Sequence, residues 1–167
     1  MAQLRLDNPF WTFSLKVYAI DGVAAECLAV QDTNSVDVNL LLFAAWLGAV
    51  HHRSLTDGDI RAMHSAAAGW HNGVVRPLRT IRQDMKAAEQ IQFDAVRTLR
   101  KDIAALELKA EQVEQALLFS WAEQKLHSLA SSSGEATRAN VRSLLRGYGS
   151  NAEATTLIDA AERTASS

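Results

Sequence analysis

The sequence predicts an all-α fold, a single-domain helical bundle of six to eight helices with one long helix. Three observations carry this. Only two prolines, Pro9 and Pro77, interrupt the 167 residues. Strand-like alternation of apolar and polar residues is absent. From Val96 to Leu117, apolar or small residues alternate at three and four positions for about three heptads, a helical period.

The elements follow in order. Asn8-Pro9 supplies an N-cap and a proline at the first helical position, which opens a helix over about 9–19 that ends near Asp21-Gly22. A second helix, about 23–31, carries Val23, Cys27, Leu28 and Val30 and breaks at the polar turn Asp32-Thr33-Asn34-Ser35. The third, about 36–51, is apolar nearly all round, as a central buried helix is. Thr56-x-x-Asp59 reads as a variant capping box, opening a helix that closes before Asn72-Gly73. Another starts near Val74 with Pro77 in its first turn.

The long helix, about 90–130, carries Val96, Leu99, Ile103, Leu106, Ala110, Val113 and Leu117 on its stripe and would run roughly 60 Å at 1.5 Å per residue. Ser131-Ser132-Ser133-Gly134 stops it. Two shorter helices follow, about 135–147 and 151–164, separated by Gly147-Tyr148-Gly149, with Ser150-x-x-Glu153 as a capping box for the second. The chain thus divides into a helical core, 1–130, and a C-terminal helical pair, 131–167, which is a candidate for loose attachment.

Composition bounds the function. A hydrophobic content of 48% with 22% charge suits one globular domain with a genuine core. The lone Cys27 excludes a disulfide framework and fits a reducing compartment. No apolar run reaches the roughly 18–20 residues of a membrane span, and Met1–Asp7 lacks a signal-peptide core. The cytoplasm is the expected location, without a membrane partner. A net charge of −2 disfavours nucleic acid as a partner. A basic block at 76–101 adjoins an acidic one at 102–123, and such neighbours pair with each other or with a partner chain.

Two groups of polar residues stand out. Gln31, Asp32, Asp37 and Asn39 lie directly against apolar runs. Burying an unpartnered polar group costs on the order of 1–3 kcal/mol, so a structural polar network is expected, with Asn39 bonded to the preceding turn or to Asp32. Arg76, Arg79, Arg82 and Lys86 form one helical stripe able to grip an anion. Glu107, Glu111 and Glu114 form a matching acidic stripe, so Arg–Glu pairing within or between chains is the competing expectation.

Other candidates are weaker. His64 and His71 lie about 10 Å apart along one helix, too far to share an ion, and Glu123 with His127 makes only two ligands. No metal or other cofactor is expected. Cys27 sits among apolar residues as a core thiol. No phosphate loop, Ser-His-Asp order or Cys-x-x-Cys is present, so no catalytic residue is assigned. Trp11, Trp46, Trp70 and Trp121 fall one per helix and are expected to pack in the core, with a pocket wall beside His71 near the Arg76 stripe as the alternative for Trp70.

The words Asn8-Pro9-Phe10-Trp11-x-Phe13-Ser14, Cys27-Leu28-x-x-Gln31-Asp32, Asp37-Val38-Asn39-Leu40-Leu41-Leu42-Phe43 and Pro77-Leu78-Arg79-x-x-Arg82 occur in this order. With Glu107-Leu108-x-Ala110-Glu111, the pattern resembles a family of small bacterial proteins known only as a domain of unknown function. The similarity spans roughly residues 8–120. It implies an all-helical fold and brings no activity, substrate or catalytic residue.

These features favour a non-enzymatic adaptor or regulatory protein acting through protein contacts, as a homodimer formed through the 96–117 stripe. The alternative is a binder of a small anionic ligand, or an enzyme, using the Gln31/Asp32/Asp37/Asn39 corner and the Arg76–Lys86 stripe.

Overall fold

Asn8 opens α1 (Pro9–Tyr18) as expected, its side-chain oxygen accepting the Trp11 N–H at 2.9 Å with Pro9 in the first turn. The computed structural model describes residues 3–132 and 134–167. Met1 and Ala2 of the N-terminal segment, and Ser133 of the expected linker, lie outside the described residues. Phe10, Phe13, Ser14 and Val17 form the buried face of α1, one helical stripe at three- and four-residue spacing.

The second helix, α2 (Val23–Asn34), extends past its expected end at Gln31. Its polar residues do not break it, because Ser35 takes a left-handed conformation (φ 55°) and returns its N–H to the Gln31 carbonyl at 2.9 Å. Asp32 consequently lies on the solvent side of a helix rather than in a turn.

Asp37 caps α3 (Val38–Ala49), accepting the N–H groups of Asn39 at 2.9 Å and Leu40 at 3.4 Å. Every residue of α3 except Val38 is buried. Phe43, Trp46, Phe10 and Phe119 stack and tilt against one another at its centre.

The Thr56–Asp59 capping box opens α4 (Asp57–Trp70). The helix then fails to close before Asn72-Gly73. It passes through one π-helical stretch, His71–Val75, straight into α5 (Arg76–Ala87). The reason lies at Pro77. It has no N–H for the Gly73 carbonyl, and its ring would crowd that carbonyl in a regular helix; the wider π turn relieves both problems.

The long helix α6 (Asp94–Lys125) has 32 residues, about 48 Å, and is shorter than expected because a 3-10 turn and a two-residue β pair take up its ends. That pair, β1 (Arg53–Ser54) with β2 (Ala130–Ser131), is antiparallel. Together α5 and the first part of α6 make an arm that buries no residue completely up to Leu106.

The C-terminal helices α7 (Ala136–Gly147) and α8 (Thr155–Ala165) are packed into the molecule rather than appended. Val141, Leu144, Leu145, Leu157 and Ile158 belong to the same core cluster as α1 and α3. Gly48 makes the closest approach possible: a Cβ there would sit 2.5 Å from the Thr137 backbone. Asn140 bonds the Arg53 and Ala44 carbonyls and accepts from Leu55, stitching α7 to α3 and β1.

The expected Ser150–Glu153 capping box does not form. Ala154 is the N-cap instead, Glu153 pairs with Arg142, and the Glu26 carboxylate of α2 accepts the N–H groups of Thr156 and Leu157. A residue 130 positions away caps α8, which no local pattern reveals.

Candidate functional site: a buried Asp–His–Glu cluster beneath an amphipathic cleft

Asp37 at the start of α3, His71 in the π stretch and Glu114 in α6 meet in the interior. His71 Nδ1 lies 3.0 Å from Asp37 Oδ2 and 3.1 Å from Glu114 Oε1. All three are buried, Glu114 completely. The second oxygen of each carboxyl group is also engaged. Asp37 Oδ1 accepts from the α3 backbone, and Glu114 Oε2 accepts from Asn39 Nδ2 at 3.0 Å. Asn39 Oδ1 in turn accepts from Gln115 Nε2 at 2.8 Å.

The electrostatics follow from burial. Burial pushes Asp37 well above the usual carboxylate range, and the neighbouring Glu114 adds to this. Burial raises Glu114 as well. It lowers His71 although Asp37 opposes it, which favours the neutral imidazole.

Beside this cluster the charge stripes meet. Arg79 Nε donates to Glu107 at 3.0 Å and its Nη2 to Glu111 at 2.7 Å, while Arg82 forks onto Glu107. For Arg79, burial opposes the charge and the two glutamates outweigh it. Glu107 is likewise held below its ordinary value: burial pushes up, and hydrogen bonds from Arg82 and Arg79 pull it down further. Glu111 ends above its ordinary value, because burial exceeds the effect of Arg79.

An open cleft of about 370 Å³ runs above these groups between α1, α2, α3, α5 and α6. Leu15, Leu28 and Leu108 form its apolar walls, and Arg79, Arg82 and Arg100 line its basic side. Two buried polar atoms on its lining, Ser14 Oγ and Gln115 Oε1, have no hydrogen-bond partner among the described residues.

The expected site residues are therefore divided. Gln31, Asn39, Arg79 and Arg82 line the cleft, and Asp37 lies behind it in the buried cluster. Asp32, Arg76 and Lys86 are exposed and line no part of it. Arg76 donates to Asn72 of the preceding π stretch at 3.2 Å.

The Gln31–Asp32–Asp37–Asn39 corner is divided: the Asn39 N–H bonds Asp37 of the preceding turn, while the Asn39 side chain turns to Glu114 and Gln115 rather than to Asp32. The extension of α2 points Asp32 outward. Glu114, expected on the acidic stripe with Arg partners, pairs with His71.

Among the described residues His71 has no ligand partner on its own helix, and its partners arrive from α3 and α6. Trp70 is not part of the cleft lining; its Nε1 donates to the Ala110 carbonyl at 2.8 Å, and Trp11 lines the cleft instead. Glu123 pairs with Arg5, leaving His127 at the surface. Cys27 is a fully buried core thiol.

A helical domain with an amphipathic cleft set over a buried Asp–His–Glu cluster is the class of protein that fold and site define. The family model described as protein of unknown function (DUF2390) matches residues 9–118, and the chain belongs to that family. Asp37, His71, Arg79, Glu107, Glu111, Glu114 and Gln115 all fall inside the matched segment; α7 and α8 fall after it. Comparison with curated proteins and with solved structures gives no match. No helix among the described residues is long and apolar enough to cross a membrane.

Proposed function

We propose that the cleft binds an elongated amphiphilic anion, an acyl chain with an acidic head and a hydrogen-bond donor toward its far end. The observation that carries this is the pair of buried, unpartnered atoms Ser14 Oγ and Gln115 Oε1 on the cleft lining. Buried polar atoms are nearly always satisfied, and Gln115 Oε1 accepts only, so a ligand donor fits it.

The other end of the cleft supports the anion. Arg79 and Arg82 are neutralised by Glu107 and Glu111, whereas among the described residues no carboxylate pairs with Arg100. Arg100 and Gln115 lie 15 residues apart on one helix, about 22 Å at 1.5 Å per residue, so the groove is elongated. Its volume falls within the roughly 300–1,000 Å³ of small-molecule sites.

Calorimetric titration with hexadecanoate and 16-hydroxyhexadecanoate tests the reading. Saturable binding is expected, tighter for the hydroxylated chain. Arg100→Glu and the cleft-filling Leu108→Trp should each weaken it at least tenfold in a folded protein. Absence of saturable binding to the wild type, or binding indifferent to both substitutions, overturns it.

A second reading, that the protein acts through self-association, is favoured by a separate observation. Leu99 and Leu106, one face of α6, are 53% and 51% exposed, and α7 and α8 pack elsewhere. A second copy of the chain is the partner that the apolar stripe fits. A regulatory role through protein contacts rests on that association.

A further inference from the structure

We propose that Asp37, His71 and Glu114 form a site for one divalent transition-metal ion of the zinc or manganese type, independently of what the cleft binds. The three donor atoms already converge. Ligands about 2.0–2.2 Å from one ion, at tetrahedral or octahedral angles, lie about 3–3.5 Å apart. Asp37 Oδ2 and Glu114 Oε1 stand 3.0 and 3.1 Å from His71 Nδ1. One ligand atom from each residue lies within 4.8 Å of the other two.

The donors come from three elements that the fold fixes separately: the α3 cap, the π stretch and the middle of α6. The outer oxygens are held as those of metal-binding carboxylates are. Backbone amides orient Asp37, and the Asn39 amide orients Glu114. The π stretch displaces His71 from ordinary helical register, and such stretches recur at functional sites.

Charge gives the second argument. Two carboxyl groups are buried side by side, and among the described residues no Lys or Arg pairs with either. Buried charge requires neutralisation, either by a shared proton or by a cation in the same space. A divalent ion bound there needs both carboxylates ionised, so any carboxyl proton would be released to solvent, and the single ring proton of the neutral imidazole would pass from Nδ1 to Nε2. The donor set of one imidazole and two carboxylates, without a thiolate, suits zinc, manganese or ferrous iron; the nitrogen disfavours calcium and magnesium, and the lack of sulfur disfavours cuprous copper. His71 keeps 11% of its side chain exposed, which leaves a route for the ion.

The test uses the full chain, stripped with chelator and dialysed, then titrated with Zn²⁺ or Mn²⁺ alone. One equivalent should bind and raise the melting temperature. Glu114→Gln keeps an acceptor for Asn39 and removes the charge, and should weaken binding at least tenfold. Should that variant not fold, the wild type still decides: Co²⁺ should give a visible band of nitrogen–oxygen coordination, displaced by Zn²⁺, with the His71 ring nitrogen signals shifting. No binding of either ion to folded protein overturns the proposal. So does one equivalent that leaves the His71 signals unmoved or ignores Glu114→Gln, since surface histidines would then hold it.

Discussion

Asn39 Nδ2 donates to Glu114 Oε2 at 3.0 Å, joining the first turn of the most buried helix to the middle of the longest. The same side chain accepts from Gln115, so one amide links the buried cluster to the cleft lining. Asn39→Leu removes both bonds, strands Gln115 Nε2 in the interior and leaves Glu114 Oε2 with His71 alone. The expected loss is on the order of 1–3 kcal/mol, read from urea unfolding. An unchanged midpoint would mean that water replaces the amide.

The Arg79 pairs differ from surface ion pairs. The side chains of Arg79 and Glu107 are 13% and 8% exposed. Removing one partner leaves the other charge partly buried. Arg79→Ala should therefore destabilise by roughly 1.5–3 kcal/mol, the scale of hydrogen bonds to charged groups. Replacement of the more exposed Arg82 should cost less. A double-mutant cycle on Arg79 and Glu107 measures the coupling, and a coupling near zero would show the pair to be solvated.

Gly48 tests whether the C-terminal pair is part of the core. A methyl there would meet the Thr137 backbone, which cannot rotate away as a side chain can. Gly48→Ala should cost about 1–3 kcal/mol by overpacking, despite the better helix propensity of alanine. Phe43→Ala, at the aromatic centre, should cost roughly 3–5 kcal/mol. If α7 were a loose appendage, Gly48→Ala would be neutral or stabilising.

Burial, and to a lesser extent Glu26, push the Cys27 thiol up to about 12. Below the unfolded value near 9 both states hold the proton, and Cys27 has no effect on the pH dependence of stability. Between about 9 and 12 the unfolded chain has lost the proton while the folded one keeps it, so stability falls as pH rises. Tyr148, pushed from 10 to about 12 mainly by burial, contributes with the same sign. Thiol-labelling rates should stay low at pH 8 until denaturant is added, and Cys27→Ala should lessen the alkaline loss of stability. Rapid labelling of folded protein at pH 8 would contradict this.

Where local chemistry decides, the sequence was legible. Asn8-Pro9 and Thr56–Asp59 each name a helix start that the backbone uses. Uninterrupted apolarity marked α3 as the buried centre. Contacts distant in sequence were not legible: Glu26 capping α8, or Glu114 leaving its acidic stripe for His71, depend on how three helices cross.

The His71 cluster carried one local sign. Pro77 stands four residues after Gly73 inside a helical pattern, which a regular helix cannot accommodate without a kink or a wider turn. Reading Asn72-Gly73 as a stop hid that sign. The polar pressure on Asp37 and Asn39 was visible, while the side-chain partners of Asn39, 75 and 76 residues away, were not.

Leu99 and Leu106 carry the last prediction. In the single chain they are half exposed on the arm, where α6 buries no residue completely before Glu107. Leu78 and Met85 of α5 and Val96 and Ile103 of α6 are half-buried, whereas Leu99 and Leu106 are exposed. Substitution at such positions changes monomer stability by only about ±0.5 kcal/mol. Leu99→Asp and Leu106→Asp should therefore leave helicity and melting temperature of the monomer nearly intact. If a second copy covers the stripe, light scattering across a dilution series should give a dimer for the wild type and a monomer for both variants, because an isologous contact places each new charge at the interface twice. A wild type that is monomeric at every concentration removes the self-association reading and leaves the arm solvated. Unfolding by either substitution would instead place these leucines in the core, against their exposure in the structure.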